Sequence, residues 1–350
     1  MVRDSLPYAK KFAKLIESER AEVVHFNTAR GMILAGWGAH LARRNTVMHV
    51  RGSVAVNPLY WGVAQCLADC ILLVARALMP EVFPSARSRA RVLYNGVHAD
   101  LGIVDRAVAR RIVGERLGGK WALDEDIKVF VSLSSPTPFK GLHYLVDAAA
   151  VAKSRGVKAM FLLAGEPKAD GYCGWLTKRI DELGLSDTVR LLGFVDDTHN
   201  LLCAADALVL PSVLHERIEA GGEVFEDRSN EGLPRSILEA MVAGIPSIAS
   251  DIAGVSEQIQ DGHNGILVPP KDAKALATAI EELAMNTELC RLMGARAKEV
   301  AKTKFRIEDA GRGLLRALSE TANENASAAD KLIRWPIIAK ELVSLRIGAQ

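Results

Sequence analysis

The sequence has no excess of charge of either sign: 44 Lys and Arg stand against 42 Asp and Glu over 350 residues. That balance leaves no electrostatic footprint for nucleic acid. A disulfide framework is missing too, because the five cysteines show no paired spacing, which points to a reducing compartment. Cys66 and Cys70 share a helical face, yet no histidine pair lies nearby, so they read as core residues and not as metal ligands. No apolar run reaches the ~18 residues that span a bilayer, and no signal peptide is visible. These absences leave a soluble or peripherally attached cytoplasmic protein. The length suits roughly two domains with buried cores.

What is present centres on Glu231 to Glu239, reading EGLPRSILE. A strand-like run, Ala207 to Pro211, lies upstream, and a second, Ile245 to Ser250, lies downstream. Pro234 fits the first turn of a helix, where its missing N–H costs nothing. Ile237, Leu238, Met241 and Val242 recur at helical spacing and form one buried stripe. Gly244 ends the helix and Pro246 prevents its resumption. Glu231 then falls in the loop before the helix and Glu239 about two turns inside it. The loop Gly232-Leu233 brings backbone N–H groups to a ligand, and a helix N-terminus favours phosphate. Both carboxylates are able to accept from sugar hydroxyls. Arg235 and Glu239, at i and i+4, also fit an ordinary surface ion pair.

Strands alternating with helices run through the whole chain and predict an α/β fold with parallel, doubly wound sheets. After a charged amphipathic helix from Met1 to Arg20, with Phe12, Leu15 and Ile16 on one face, strands are expected at 22–26, 46–50, 70–74 and 91–94. A linker at 118–124 leads to further strands at 128–133, 159–163, 189–192, 207–210, 246–249 and 265–268. Ligands bind off the carboxyl ends of such strands. Ser134 to Gly141, reading SSPTPFKG, lies at the first of those ends in the second half.

The segment from Ser229 through Asn286 resembles the signature of family 4 retaining glycosyltransferases. It has Glu231, seven residues, Glu239, then the Gly254-Val255-Ser256-Glu257 turn and Asn264-Gly265 in order. The resemblance implies the GT-B fold: two Rossmann-like domains facing a cleft, with a nucleoside-diphosphate sugar (UDP or GDP) as substrate and no resident cofactor. It implies that Lys140 and Gly232 to Pro234 hold the diphosphate, with Ser135 nearby, that Glu239 holds the ribose, and that Glu231 holds hydroxyls of the transferred sugar. Gly193 and Phe194 resemble the turn that receives the nucleobase through backbone groups. Catalysis falls to Lys140 and Glu231, and the departing diphosphate helps deprotonate a glycan or lipid-linked acceptor. On the acceptor side the family often carries His-x-His where this chain has His25-Phe26-Asn27, so His25 stands alone; Arg51 is placed to meet an anionic acceptor or to be a solvated loop charge.

Two departures from the family pattern bear on activity. An Arg that clamps the donor pyrophosphate beside the Lys is absent, with Ser134 and Ser135 near its place. The strand–helix units that usually open the acceptor domain, with a glycine-rich loop beside the donor phosphates, are also absent. The expected organisation is therefore an incomplete acceptor domain over residues 1–120, a complete donor-binding domain over 121–304, and a closing helix with a basic amphipathic tail over 305–350. Transfer by the chain as it stands is expected to be weak. A non-catalytic nucleotide-binding protein or partner subunit is the second reading of the same residues.

No metal is expected, since Asp196 and Asp197 are adjacent loop residues without further ligands. The stretch between Pro211 and Glu231 is long and charged, with Gly221-Gly222 inside it, and reads as a mobile segment. Residues 331–347 alternate apolar side chains with Lys331, Arg334, Lys340 and Arg346. Such a tail suits either an anionic membrane surface or docking on its own protein.

Overall fold

The computed structural model describes residues 2–52, 58–99, 104–118, 126–168, 171–229, 231–324 and 334. By its contacts the chain divides into two units, one of Met1–Asn95 with Glu308–Gln350, the other of Gly96–Ile307. Most of the expected linker and of the tail 331–347 lies outside the described residues.

The first unit holds helix α1 (Val2–Ser18), strand β1 (Val23–Phe26), α2 (Ala29–Leu41), β2 (Asn45–Val50), α3 (Pro58–Leu67), β3 (Cys70–Leu73) and β4 (Ala90–Val92). Its four strands pair in parallel in chain order. β3 is buried along its whole length, as a strand covered on both faces must be. Small residues let α1 lie close on α2: Ala9, Ala13 and Ile16 are buried, Phe12 is partly so, and a Cβ on Gly38 would sit 2.7 Å from the Ala9 carbonyl. Leu15, expected on that face, is 51% exposed instead, because it lies about 100° round the helix from Ile16 and off the stripe that Ala9, Ala13 and Ile16 share. Cys66 and Cys70 are buried and unbridged.

The closing helix packs on this unit, most of it, Glu308 onward, grouping there. Ala317 joins Val47, Cys70 and Leu72 in one cluster, and Asn45 Nδ2 donates to Thr321 O at 2.8 Å. Arg334, the described residue of the tail, donates to Asp69 Oδ1 at 3.1 Å and to Ala68 O at 3.2 Å. Its guanidinium is thus engaged by this unit itself.

The second unit contains α4 (Arg106–Arg116), β5 (Lys128–Leu133), α5 (Leu142–Ser154), β6 (Ala159–Ala164), α6 (Tyr172–Glu182), β7 (Val189–Gly193), α7 (Thr198–Ala204) and β8 (Ala207–Leu210). There follow β9 (Glu216–Ala220), β10 (Glu223–Asp227), α8 (Arg235–Ala243), β11 (Ser247–Ser250), β12 (Gly265–Val268), α9 (Ala273–Met285) and α10 (Thr287–Lys304). The closing helix is α11 (Ile307–Asn323). Six parallel strands run in the order β12-β11-β8-β5-β6-β7. That is the doubly wound nucleotide-binding order, whose direction reverses between β5 and β8. Phe130 and Phe161 stack at 5.4 Å in its core, and Ile237, Leu238, Met241 and Val242 are buried as their spacing predicts.

Two expectations change here. Sequence reading placed the boundary near residue 120, but α4 groups with the second unit. Arg110, 6% exposed, donates to Asp206 Oδ2 at 3.1 Å and Ala204 O at 3.2 Å, a buried ion pair that holds the helix to this sheet. The charged stretch before Glu231 is no loose loop. It is the antiparallel hairpin β9–β10, turned by Gly221 and Gly222 with φ of 61° and 82°, the positive values a tight hairpin turn requires.

Candidate functional site

The reversal between β5 and β8 brings their two following loops side by side. After β5, Pro138 to Lys140 form one short 3-10 turn, ended by Gly141 in the left-handed conformation at φ 65°. A Cβ there would lie 2.0 Å from the Pro211 carbonyl after β8, so only glycine permits this approach. Val213 N donates to Phe139 O at 2.7 Å and locks the two loops together.

Lys140 is delivered by this arrangement to Glu231. Its Nζ donates to Glu231 Oε1 at 2.6 Å, and Ser212 Oγ donates to the same oxygen at 2.8 Å. Glu231 is 8% exposed, and a carboxylate so buried requires such partners. The loop Glu231 to Pro234 is buried throughout, with Gln258 Nε2 donating to Pro234 O at 2.9 Å. Pro234 caps α8 without a side-chain hydrogen bond to the first turn, and that turn holds no acidic residue. Its orphan N–H groups and the positive end of the helix therefore come four residues after Glu231, at the end of the same buried loop. A lysine, a hydroxyl and a helix N-terminus converging at a switch point suit a bound phosphate.

Glu239 is the fifth residue of α8, one turn nearer the N-terminus than its spacing suggested, because the helix starts at Arg235. Arg235 lies 3.4 Å from it, so the ordinary ion pair is formed as well. Burial raises the Glu239 carboxyl, and Arg235 offsets this in part. Ser135 is half-buried in the loop after β5. Its neighbour Ser134 donates N–H to Ala164 O at 2.9 Å, with the hydroxyls of Ser132 and Ser134 3.4 Å apart. Gly193 and Phe194 lie at the end of β7, two strands from Lys140, where Gly165 N donates to Gly193 O at 2.8 Å and the Phe194 ring is 73% exposed. Ser212 escaped sequence reading; its signal was its place two residues past the end of β8. Asp196 and Asp197 face Arg116 at 3.9 and 3.4 Å, and Asp197 also caps α7.

The acceptor-side candidates form a cluster of their own in the first unit. Parallel register pairs His25 with Val47, so His49, two residues on, shares its face, and the rings stand 5.6 Å apart. His25 is therefore not alone. Both nitrogens of His49 are buried and without a hydrogen-bond partner, as is His25 Nε2. Burial, with Arg51 adding to it, holds His25 below its ordinary value and His49 down to about 3. Arg51 is exposed, as a loop charge would be, and donates to Asn27 Oδ1 at 3.2 Å and Asn95 Oδ1 at 3.1 Å. Asn95, unforeseen from sequence, enters by following β4.

Comparison with known proteins matches this architecture. The chain is 29% identical over 322 residues to the putative glycosyltransferase EpsD of Bacillus subtilis, covering 87% of this chain and 78% of the relative. It is 31% identical over 183 residues to the lipopolysaccharide core biosynthesis glycosyltransferase LpsE of Rhizobium meliloti, covering 52% and 47%. The crystal structure of Anabaena Alr3699/HepE in complex with UDP-glucose superposes with a TM-score of 0.75 at 23% identity, covering 88% of this chain and 82% of that one. That likeness makes the fold GT-B. Among the described residues no helix is long and apolar enough to cross a membrane. The profile described as glycosyl transferases group 1 matches residues 115–300, more than half of the chain and nearly all of the unit that carries Lys140, Glu231 and α8, so this chain belongs to the group 1 glycosyl transferases.

Proposed function

We propose that the chain is a retaining, hexosyl-type glycosyltransferase that moves a sugar from a UDP- or GDP-sugar to a glycan or lipid-linked acceptor in polysaccharide or glycoconjugate synthesis. The Lys140–Glu231 contact of 2.6 Å, made by the loop that leads into the start of α8 with no side-chain cap, carries this reading. HepE crystallises with UDP-glucose, and LpsE is named for lipopolysaccharide core synthesis, which supports the donor and acceptor classes.

In this mechanism the bond from the sugar's anomeric carbon to the diphosphate breaks, and the acceptor oxygen bonds to that carbon on the same face. The acceptor proton passes to the departing phosphate oxygen. Negative charge grows on the diphosphate, where Lys140 and the backbone N–H groups of Gly232, Leu233 and Arg235 stabilise it. Glu231 exchanges part of its bond to Lys140 for sugar hydroxyls, and Glu239 accepts from the ribose. His25, Asn27 and Arg51 are assigned to the acceptor, Arg51 to an anionic group on it. No metal or other cofactor takes part.

Calorimetric titration with bare nucleoside diphosphate and with the nucleotide sugar tests the two carboxylate roles. Glu239→Ala should weaken both ligands by about 1–3 kcal/mol, the worth of a charged hydrogen bond. Glu231→Ala should spare the bare diphosphate, since it frees Lys140, and weaken only the nucleotide sugar. Equal losses for both ligands in both variants would overturn the assignment.

A further inference from the structure

The hairpin β9–β10 does more than fill a long connection. It is bonded to the stretch that carries Lys140. Tyr144, on the first turn of α5, donates its hydroxyl to Glu216 Oε2 on β9 at 2.8 Å. Glu216 is 5% exposed, and Lys271 Nζ stands 3.3 Å from the same oxygen, with His143 Nε2 at 3.9 Å. His143 Nδ1 in turn meets the Tyr172 hydroxyl at 2.9 Å. From β10, Phe225 packs on Tyr172 and Trp175 with ring centroids 5.9 and 6.0 Å apart. The hairpin's inner face is thus built into the core, and its buried carboxylate is satisfied by Tyr144 just after the Lys140 turn, by Lys271 after β12 and by Arg217 N–H.

The tie is placed to matter for Lys140. Between Lys140 and Tyr144 the chain bends at Gly141, which is left-handed and, having no side chain, leaves α5 without a side-chain cap. The 3-10 turn itself is held by Lys140 N to Thr137 O and Gly141 N to Pro138 O, each at 3.0 Å. Tyr144 to Glu216 on one side, and Val213 N to Phe139 O on the other, bracket this turn between the hairpin and the end of β8.

We propose that the hairpin is a brace for the diphosphate site, in which Glu216 and Tyr144 are positioning residues that fix Lys140 through the turn between them. This rests on the reading of Lys140 as a diphosphate ligand given above.

The test is calorimetry of the full chain with UDP and GDP, alongside uridine and guanosine binding by NMR and thermal melting. Lys140→Ala should weaken the diphosphate that the wild type binds. Tyr144→Phe removes only the hydroxyl and should weaken the same diphosphate about three- to tenfold, the worth of one hydrogen bond, leaving the nucleoside affinity unchanged. Glu216→Gln keeps an acceptor for Tyr144 and should retain most of the affinity that Glu216→Ala loses. Should Glu216→Ala fail to fold, the Tyr144→Phe comparison stands by itself. Tyr144→Phe binding like wild type, while Lys140→Ala is impaired, would overturn the brace and leave the donor site intact. Equal losses for nucleoside and diphosphate in Tyr144→Phe would also overturn it, as general loosening. A wild type that binds neither diphosphate would overturn the donor site itself and the brace with it.

Discussion

The carboxyl ends of the two parallel sheets handle polar side chains in opposite ways. In the second unit a buried carboxylate is satisfied: Glu231 takes hydrogen bonds from the partly buried Lys140 and from Ser212. In the first unit the buried groups are neutral imidazoles, and His49 has no partner at either nitrogen. Its charged neighbour Arg51 is held at the exposed rim by Asn27 and Asn95. A satisfied ion pair keeps its charge on burial, whereas an unpaired imidazole gives up its proton. The first arrangement suits a ligand whose charge is fixed; the second leaves hydrogen-bonding capacity open.

The comparison breaks most visibly at the charge pair. Lys140→Ala should lower transfer by roughly 10²-fold or more, the worth of one donor to a developing anion, measured as kcat/KM with the nucleotide sugar. Next comes the geometry beneath it. Gly141→Ala forces a side chain into left-handed backbone and against the Pro211 carbonyl, so it should cost about 2–3 kcal/mol of stability by urea denaturation. Stability left at the wild-type value would mean that the β5 and β8 loops are not locked as described.

The first unit answers to pH instead. The folded value of about 3 for His49 lies below the ordinary 6.5, so as pH falls the unfolded chain takes up this proton first. Stability should therefore be intact above 6.5 and fall progressively toward 3. Between pH 7 and 5 the loss from His49 should be about 2 kcal/mol, and His49→Phe should remove that share. His143, held by burial at about 4, contributes over a similar window in the second unit and should remain in the variant. The smallest effect is expected at Arg235→Ala. Its side chain is 78% exposed, and the pair with Glu239 should be worth less than about 0.5 kcal/mol in melting experiments.

Much of the second unit was legible in advance. Lys128–Leu133 and Gly265–Val268 are strands with the expected ends, because short apolar runs bounded by turn residues are a local strand signal. The hairpin was not legible. Glu216 to Asp227 is dominated by charge, and its inward residues Glu216 and Phe225 are stabilised by Tyr144 and the Tyr172–Trp175 pair, distant in sequence. Local composition reported the solvent face, which bears Arg217 and Glu219, and concealed the other.

Alternating strand and helix patterns, with Gly244 as a stop, were enough by themselves to determine the α/β class and the place of α8, with Glu231 in the loop before it and Glu239 within it, since each is a property of neighbouring residues. The partners were decided only in three dimensions. Lys140 and Glu231 are 91 residues apart and meet because β5 and β8 are adjacent at the reversal of strand order. His25 and His49 meet because parallel register puts them on one face. Strand order and register arise from how apolar faces bury against one another across the whole chain, and no local window contains that sum.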